Sequence, residues 1–163
     1  MKNVQEFTEK GFKGFVTLKS LHRVKCSSVP KSKGVYLILP PLKKPLFLTS
    51  SLADKLISKK ATVDLNSLSS KWVANAPYLY IGKAGGKKGK ATLKDRIRAY
   101  VNYGLAKTKS HSGGRYIWQT KGAHRLIICW KPVCNNDPRQ IEHDWLVAFK
   151  KKYKFLPFAN LRT

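Results

Sequence analysis

Two short apolar runs, residues 34–39 and 78–82, constrain this chain more than any other part of it. Both concentrate branched and aromatic side chains, both are too short for an ordinary helix, and both are bounded by glycine or proline, so they read as buried strands. Each carries a tyrosine in a glycine-containing trio, Gly34-Val35-Tyr36 in the first and Tyr80-Ile81-Gly82 in the second. A further branched run from 125 to 133 stops at Pro132 and the polar turn Cys134-Asn135-Asn136 and reads as another strand.

Two helices are signalled by their starts. Thr92 and Asp95 form a capping-box-like pair ahead of Leu93, Ile97, Tyr100 and Val101, whose spacing predicts a helix over 93–105 with one buried stripe. Arg96, three residues after Leu93 and four before Tyr100, stands at the edge of that stripe. Asp137 as N-cap, Pro138 at the first helical position and Gln140 two residues on predict a second helix over 138–153. Its apolar side holds Ile141, Trp145, Ala148 and Phe149, and Glu142 borders it. An acid in that position needs a partner, either one of the many lysines or a bound cation.

The intervening segments are less regular. Residues 1–30 contain Phe7, Phe12, Phe15, Val16, Leu18 and Leu21 at a spacing that fits neither strand nor helix throughout, and they read as an N-terminal extension. After Pro40-Pro41, residues 50–60 place Leu52, Leu56 and Ile57 on one helical face, and the polar stretch 61–75 closes a segment that is either a clamp or a covering hairpin. Residues 41–76 therefore read as an insertion in a single domain that spans residues 1–163.

Charge narrows the partners. Lysine and arginine total 33 against 8 acids, a formal net charge of +25, far beyond what solubility requires, and the bases are spread along the chain instead of confined to a tail. A polyanion, and nucleic acid first among polyanions, is the expected partner. Lys87, Lys88 and Lys90 sit in a glycine-lysine turn suited to touching phosphate, while Lys94 and Arg98 point away from the helix stripe and read as backbone-phosphate contacts. Arg115 follows a glycine pair, where it is either a phosphate contact or part of a plain loop. Residues 85–90 lack the Ser or Thr that would complete a nucleotide-binding loop. No stretch reaches the roughly 20 apolar residues of a spanning helix and no secretory leader is recognisable. The three cysteines, Cys26, Cys129 and Cys134, are odd in number and lack metal-ligand spacing, so a cytoplasmic chain is expected.

The two trios in this order, Lys83 directly after the second, Arg96 on a following helix with Tyr100 one turn later, Glu142 on a later helix and Asn160 near residue 163 resemble the GIY-YIG nuclease family over residues 30–163. The chain departs from that family in the long segment between the trios, which members usually join by a short hairpin. The resemblance implies an α+β fold with a small, mainly antiparallel three-stranded sheet, strands near 34–40, 78–82 and 125–131, flanked by the two helices. It implies a metal-dependent endonuclease in which Glu142 holds Mg²⁺ (or Mn²⁺), either Tyr36 or Tyr80 accepts a proton from water, Lys83 and Arg96 supply positive charge, and Tyr100 and Asn160 orient water, phosphate or the metal shell. An unperturbed phenol titrates near pH 10, so the base is expected to be lowered by those cations. The implied substrate is DNA ahead of RNA. The alternative is a non-catalytic basic protein that only binds RNA or DNA.

Overall fold

The computed structural model describes residues 2–55, 61–86, 89–107 and 114–163. In chain order the elements are α1 (Lys2–Glu9), β1 (Lys13–Thr17), α2 (Leu18–Arg23), β2 (Gly34–Ile38), a 3₁₀ turn (Leu52–Lys55), α3 (Leu65–Ser70), β3 (Tyr80–Ala84), α4 (Leu93–Gly104), α5 (Gly114–Trp118), a second 3₁₀ turn (Ala123–Arg125), β4 (Ile127–Pro132) and α6 (Pro138–Tyr153). The fold is α+β, as expected. Among the described residues the sheet, however, has four strands instead of three, in the order β1-β4-β2-β3 with every pair antiparallel.

The additional strand comes from the N-terminal residues. Its periodicity is hidden because the register shifts between Lys13 and Val16, where Gly14 and Phe15 adopt φ of 101° and 45°. Such a bulge rotates successive side chains off strict alternation. A Cβ on Gly14 would fall 2.5 Å from the Trp130 ring on β4, so glycine is also required there for the strand to approach its neighbour.

Alternation splits the sheet into two faces. On one, Tyr36, Ile38, Tyr80, Ile128 and Trp130 share a core with Leu21 of α2, Leu93, Ile97 and Tyr100 of α4, and Ile117 of α5. On the other, Val35, Leu37, Ile81 and Cys129 meet Phe7 of α1, Phe12, and Leu146 and Phe149 of α6. Cys26, Cys129 and Cys134 are all free thiols. Among the described residues no helix is long and apolar enough to cross a membrane.

The caps decide where the two site-bearing helices begin. Thr92 and Asp95 form the complete capping box, each side chain meeting the other's backbone N–H. Asp137 caps α6 by accepting from Arg139 N, with Pro138 in the first turn; Gln140 donates to Asp144 at 2.7 Å.

The segment between β2 and β3 is fastened to the domain. Gln119, fully buried, donates to the carbonyls of Leu48 (2.9 Å) and Val63 (2.6 Å) and accepts from Val63 N (2.9 Å). Phe47 bridges to Thr120 and stacks on Phe158 at 5.6 Å, and Leu68 of α3 is fully buried. Leu56 and Ile57 of the helix expected over 50–60 lie outside the described residues, and Leu52 opens the 3₁₀ turn. Replacing residues 41–76 by a short turn removes Val63 and Leu68 from the core and strands the Gln119 amide. The expected cost is about 5 kcal/mol, from about 1.5–3 for a buried leucine and about 1–3 for an orphaned polar group. Urea unfolding checks this, and an unshifted midpoint would show the segment to be dispensable.

Candidate active site

Antiparallel pairing of β2 with β3 sets Tyr36 opposite Gly82 and Ile38 opposite Tyr80. The two tyrosines are thus diagonal neighbours on one face, with ring centroids 5.9 Å apart. Gly82 makes this possible, since a Cβ there would stand 2.5 Å from the Tyr36 ring. Gly34 is equally constrained: a Cβ would meet the Lys131 carbonyl oxygen at 2.3 Å and Leu93 at 2.8 Å. Both glycines are therefore packing requirements of the strands that carry the tyrosines.

Helix α4 lays Tyr100 across the pair, 5.9 Å from Tyr80 in a stacked arrangement and 6.3 Å from Tyr36 edge-on. The helix is held there by Trp118, whose Nε1 donates to the Tyr100 carbonyl at 3.0 Å and whose ring occupies the space that a side chain at Gly104 would fill. Arg96, one turn before Tyr100, is exposed, and its positive charge acts on both Tyr36 and Tyr80.

From the other side of β3, Lys83 forms an ion pair with Glu142 of α6. The lysine side chain is 37% exposed and the glutamate 16%, so the carboxylate is largely enclosed while its partner still reaches solvent. The Glu142 charge is close enough to Tyr80 to act on its hydroxyl. Tyr80 is thus the group that feels Arg96, Glu142 and Tyr36 together.

The expected lowering of a tyrosine is not found. Burial pushes Tyr36 well above the ordinary phenol range, reinforced by Tyr80 and only partly opposed by Arg96. Burial also raises Tyr80, with the Glu142 charge adding to it, although the hydrogen bond donated by Tyr36 and the Arg96 charge pull it back. Tyr100 is raised well above as well, again by burial. Desolvation outweighs the available cations because these rings are core residues: Tyr36 and Tyr100 are fully buried and Tyr80 is 8% exposed.

Asn160 is placed differently from the expectation that it orients water, phosphate or a metal shell. Its Oδ1 accepts from Ile81 N at 3.0 Å and its Nδ2 donates to Ile81 O at 2.9 Å, so both ends of the amide are engaged by the outer side of β3. It supports the strand that holds Tyr80. Asn160→Ala leaves two buried backbone groups unpaired and is expected to cost about 3 kcal/mol of stability. A melting temperature equal to that of the unmodified protein would sink this role.

The basic residues divide. Lys90 and Arg98 are exposed and Lys94 is half-buried; Arg98 pairs with Asp95 at 3.3 Å, and the charges of Lys94 and Arg98 reach Cys26, on the side of α4 that faces α2. Arg115 is turned into the insertion, where its Nε donates to the Ala61 carbonyl at 3.0 Å. Lys87 and Lys88 lie outside the described residues.

Among the described residues no three His, Cys, Asp or Glu side chains gather as a metal cluster. The enclosed Glu142 carboxylate suits a hard divalent ion that keeps most of its water and shares its shell with a phosphate, the habit of Mg²⁺. In the protein alone that carboxylate is paired with Lys83. The positioning residues Trp118 and Gln119 carry no signal for the site in the sequence. Compared with protein-family models, with curated proteins and with solved structures, the chain matches none.

Proposed function

We propose that the protein is a divalent-metal-dependent phosphodiesterase, an endonuclease acting on DNA, resembling the GIY-YIG nucleases. The observation that carries this reading is the meeting at Tyr80 of Tyr36 from β2 and Tyr100 from α4, each with ring centroid 5.9 Å away, on the strand whose Lys83 pairs with the enclosed Glu142 of α6.

In this reading Tyr80 is the proton acceptor. The hydrogen bond that Tyr36 donates to Tyr80 and the Arg96 charge favour a Tyr80 phenolate, against burial and the Glu142 charge, which oppose it. Arg96, exposed beside the pair, offers a forked donor to the scissile phosphate, and Tyr100 backs the Tyr80 ring by stacking. Glu142 would hold the cation, which when bound neutralises charge on the phosphate and on the leaving oxygen. Lys83 balances Glu142 in the protein alone and would be released to meet a phosphate once that carboxylate is otherwise engaged.

The second reading is non-catalytic attachment to RNA or DNA, favoured by the full burial of Tyr36 and Tyr100, which is also how tyrosines pack in ordinary cores. One experiment separates the two. Purified protein is incubated with supercoiled plasmid, branched DNA and structured RNA, with and without Mg²⁺. The nuclease reading expects Mg²⁺-dependent DNA cleavage that falls about 10²-fold or more in Tyr80→Phe, as for loss of a proton-transfer group, with duplex binding retained. Binding without cleavage under every condition would leave the attachment reading in its place.

A further inference from the structure

The loop that follows β2 carries an unusual exposure. Leu42 is 97% exposed and Leu46 71%, with the exposed Lys43 and Lys44 between them and Pro40, Pro41 and Pro45 around them. Single exposed leucines are common on protein surfaces. Here, however, two leucines are carried on a loop whose backbone is stiffened by three prolines and tied at both stems. Leu39 N donates to the Ile127 carbonyl at 2.9 Å on one side; on the other, Lys121 N donates to the Leu46 carbonyl at 2.8 Å and Leu48 N to the Gln119 carbonyl at 2.7 Å. Phe47, at the foot, stacks on Phe158 and packs edge-on against Trp72.

The loop also begins beside the candidate site. Ile38, the last residue of β2, pairs with Tyr80, so Leu42 is only four residues of chain from the site, a reach of roughly 13 Å. Phe158 belongs to the same short segment as Asn160, which grips Ile81.

We infer that residues 40–46 form an apolar wedge that enters the minor groove of duplex DNA, with Leu42 and Leu46 pressed against a base step and Lys43 and Lys44 on the flanking phosphates. Apolar side chains on a stiff support unstack base steps and kink the duplex, and the bend brings more of a basic surface into contact with phosphate. A protein partner is disfavoured by the same residues, because lysine is depleted from the cores of protein–protein interfaces whereas a net charge of +25 favours a polyanion. This inference rests on the proposed reading that DNA is the ligand.

The test is duplex bending, read by energy transfer between dyes at the two ends of a short DNA, together with the fluorescence of a 2-aminopurine placed at successive steps. The unmodified protein is expected to kink the duplex by about 20–90° and to brighten the probe at one step. Replacing both leucines, Leu42→Ala with Leu46→Ala, should abolish both signals and weaken binding by about tenfold or more. Leu42→Met with Leu46→Met should restore them. Cleavage of plasmid by a protein that bends DNA equally with and without the leucines overturns the wedge and leaves the nuclease reading intact. Leucine-dependent bending without any cleavage supports the wedge and removes the nuclease reading, and failure to bind duplex removes the wedge outright.

Discussion

Glu142→Gln is expected to lower Mg²⁺-dependent cleavage by about 10³-fold, the equivalent of about 4 kcal/mol of transition-state stabilisation, while duplex affinity stays level or rises. Glutamine keeps the shape of the side chain and loses the charge that holds a cation. Stability alone does not report on this role, because Glu142 also pairs with Lys83. That pair is part-solvated on the lysine side, so breaking it should cost about 1 kcal/mol or less. Lys83→Met breaks the same pair from the other partner and provides the control. Both variants should melt at similar temperatures, yet Lys83→Met should bind Mn²⁺, followed by its electron-spin resonance, at least as tightly as the unmodified protein, whereas Glu142→Gln should lose it. Equal Mn²⁺ binding in the two variants, with cleavage untouched by Glu142→Gln, would falsify the assignment of the glutamate as metal ligand.

Affinity for a non-cognate duplex is expected to fall by about 10³-fold between 50 and 200 mM salt, the behaviour of a surface that contacts about six phosphates or more. The net charge of +25 and the exposure of Lys43, Lys44, Lys90, Arg96 and Arg98 motivate the figure. Only part of the charge is available for contact. Arg98 already has an acidic partner in Asp95, and Arg115 is engaged with the Ala61 carbonyl. Titrations at several salt concentrations give the slope directly, and a nearly flat dependence would remove nucleic acid as the reason for the charge.

The parts of the fold that were legible in the sequence are those set by neighbours in the chain. The capping box of Thr92 and Asp95, the stripe of Leu93, Ile97, Tyr100 and Val101, and the Asp137-Pro138 start of α6 are local patterns and recur in the structure. Strand β2 was visible because it is buried on both faces and so continuously apolar, whereas β3 lies two residues later than the expected 78–82, at Tyr80–Ala84, where Lys83 interrupts the apolar run. Strand β1 was not visible, since it is short, lies at an edge and is bulged at Gly14 and Phe15. Pairings between distant residues were equally hidden: Asn160 meets Ile81 across 79 residues and Gln119 meets Val63 across 56. For Glu142 the sequence left open a lysine or a cation, and Lys83, 59 residues away, supplies the first without removing the second. The raised tyrosines were missed for a different reason. Charge can be counted along a chain, but desolvation depends on what packs around the ring, and here it outweighs the charge.

The grip of Asn160 on Ile81 has a consequence for the protein in concentrated solution. Strand β3 is an outer strand, and the backbone groups of alternate residues on its open side are a template onto which another chain could add. A side-chain amide has the donor and acceptor of a peptide unit, and Asn160 presents both to Ile81, while Ala159 N donates to the Leu79 carbonyl at 2.9 Å. The chain thereby supplies its own terminator for this part of the sheet edge, made from two residues where a full strand would otherwise be needed, and an added strand would have to displace Asn160 from Ile81 before it could pair beside Tyr80.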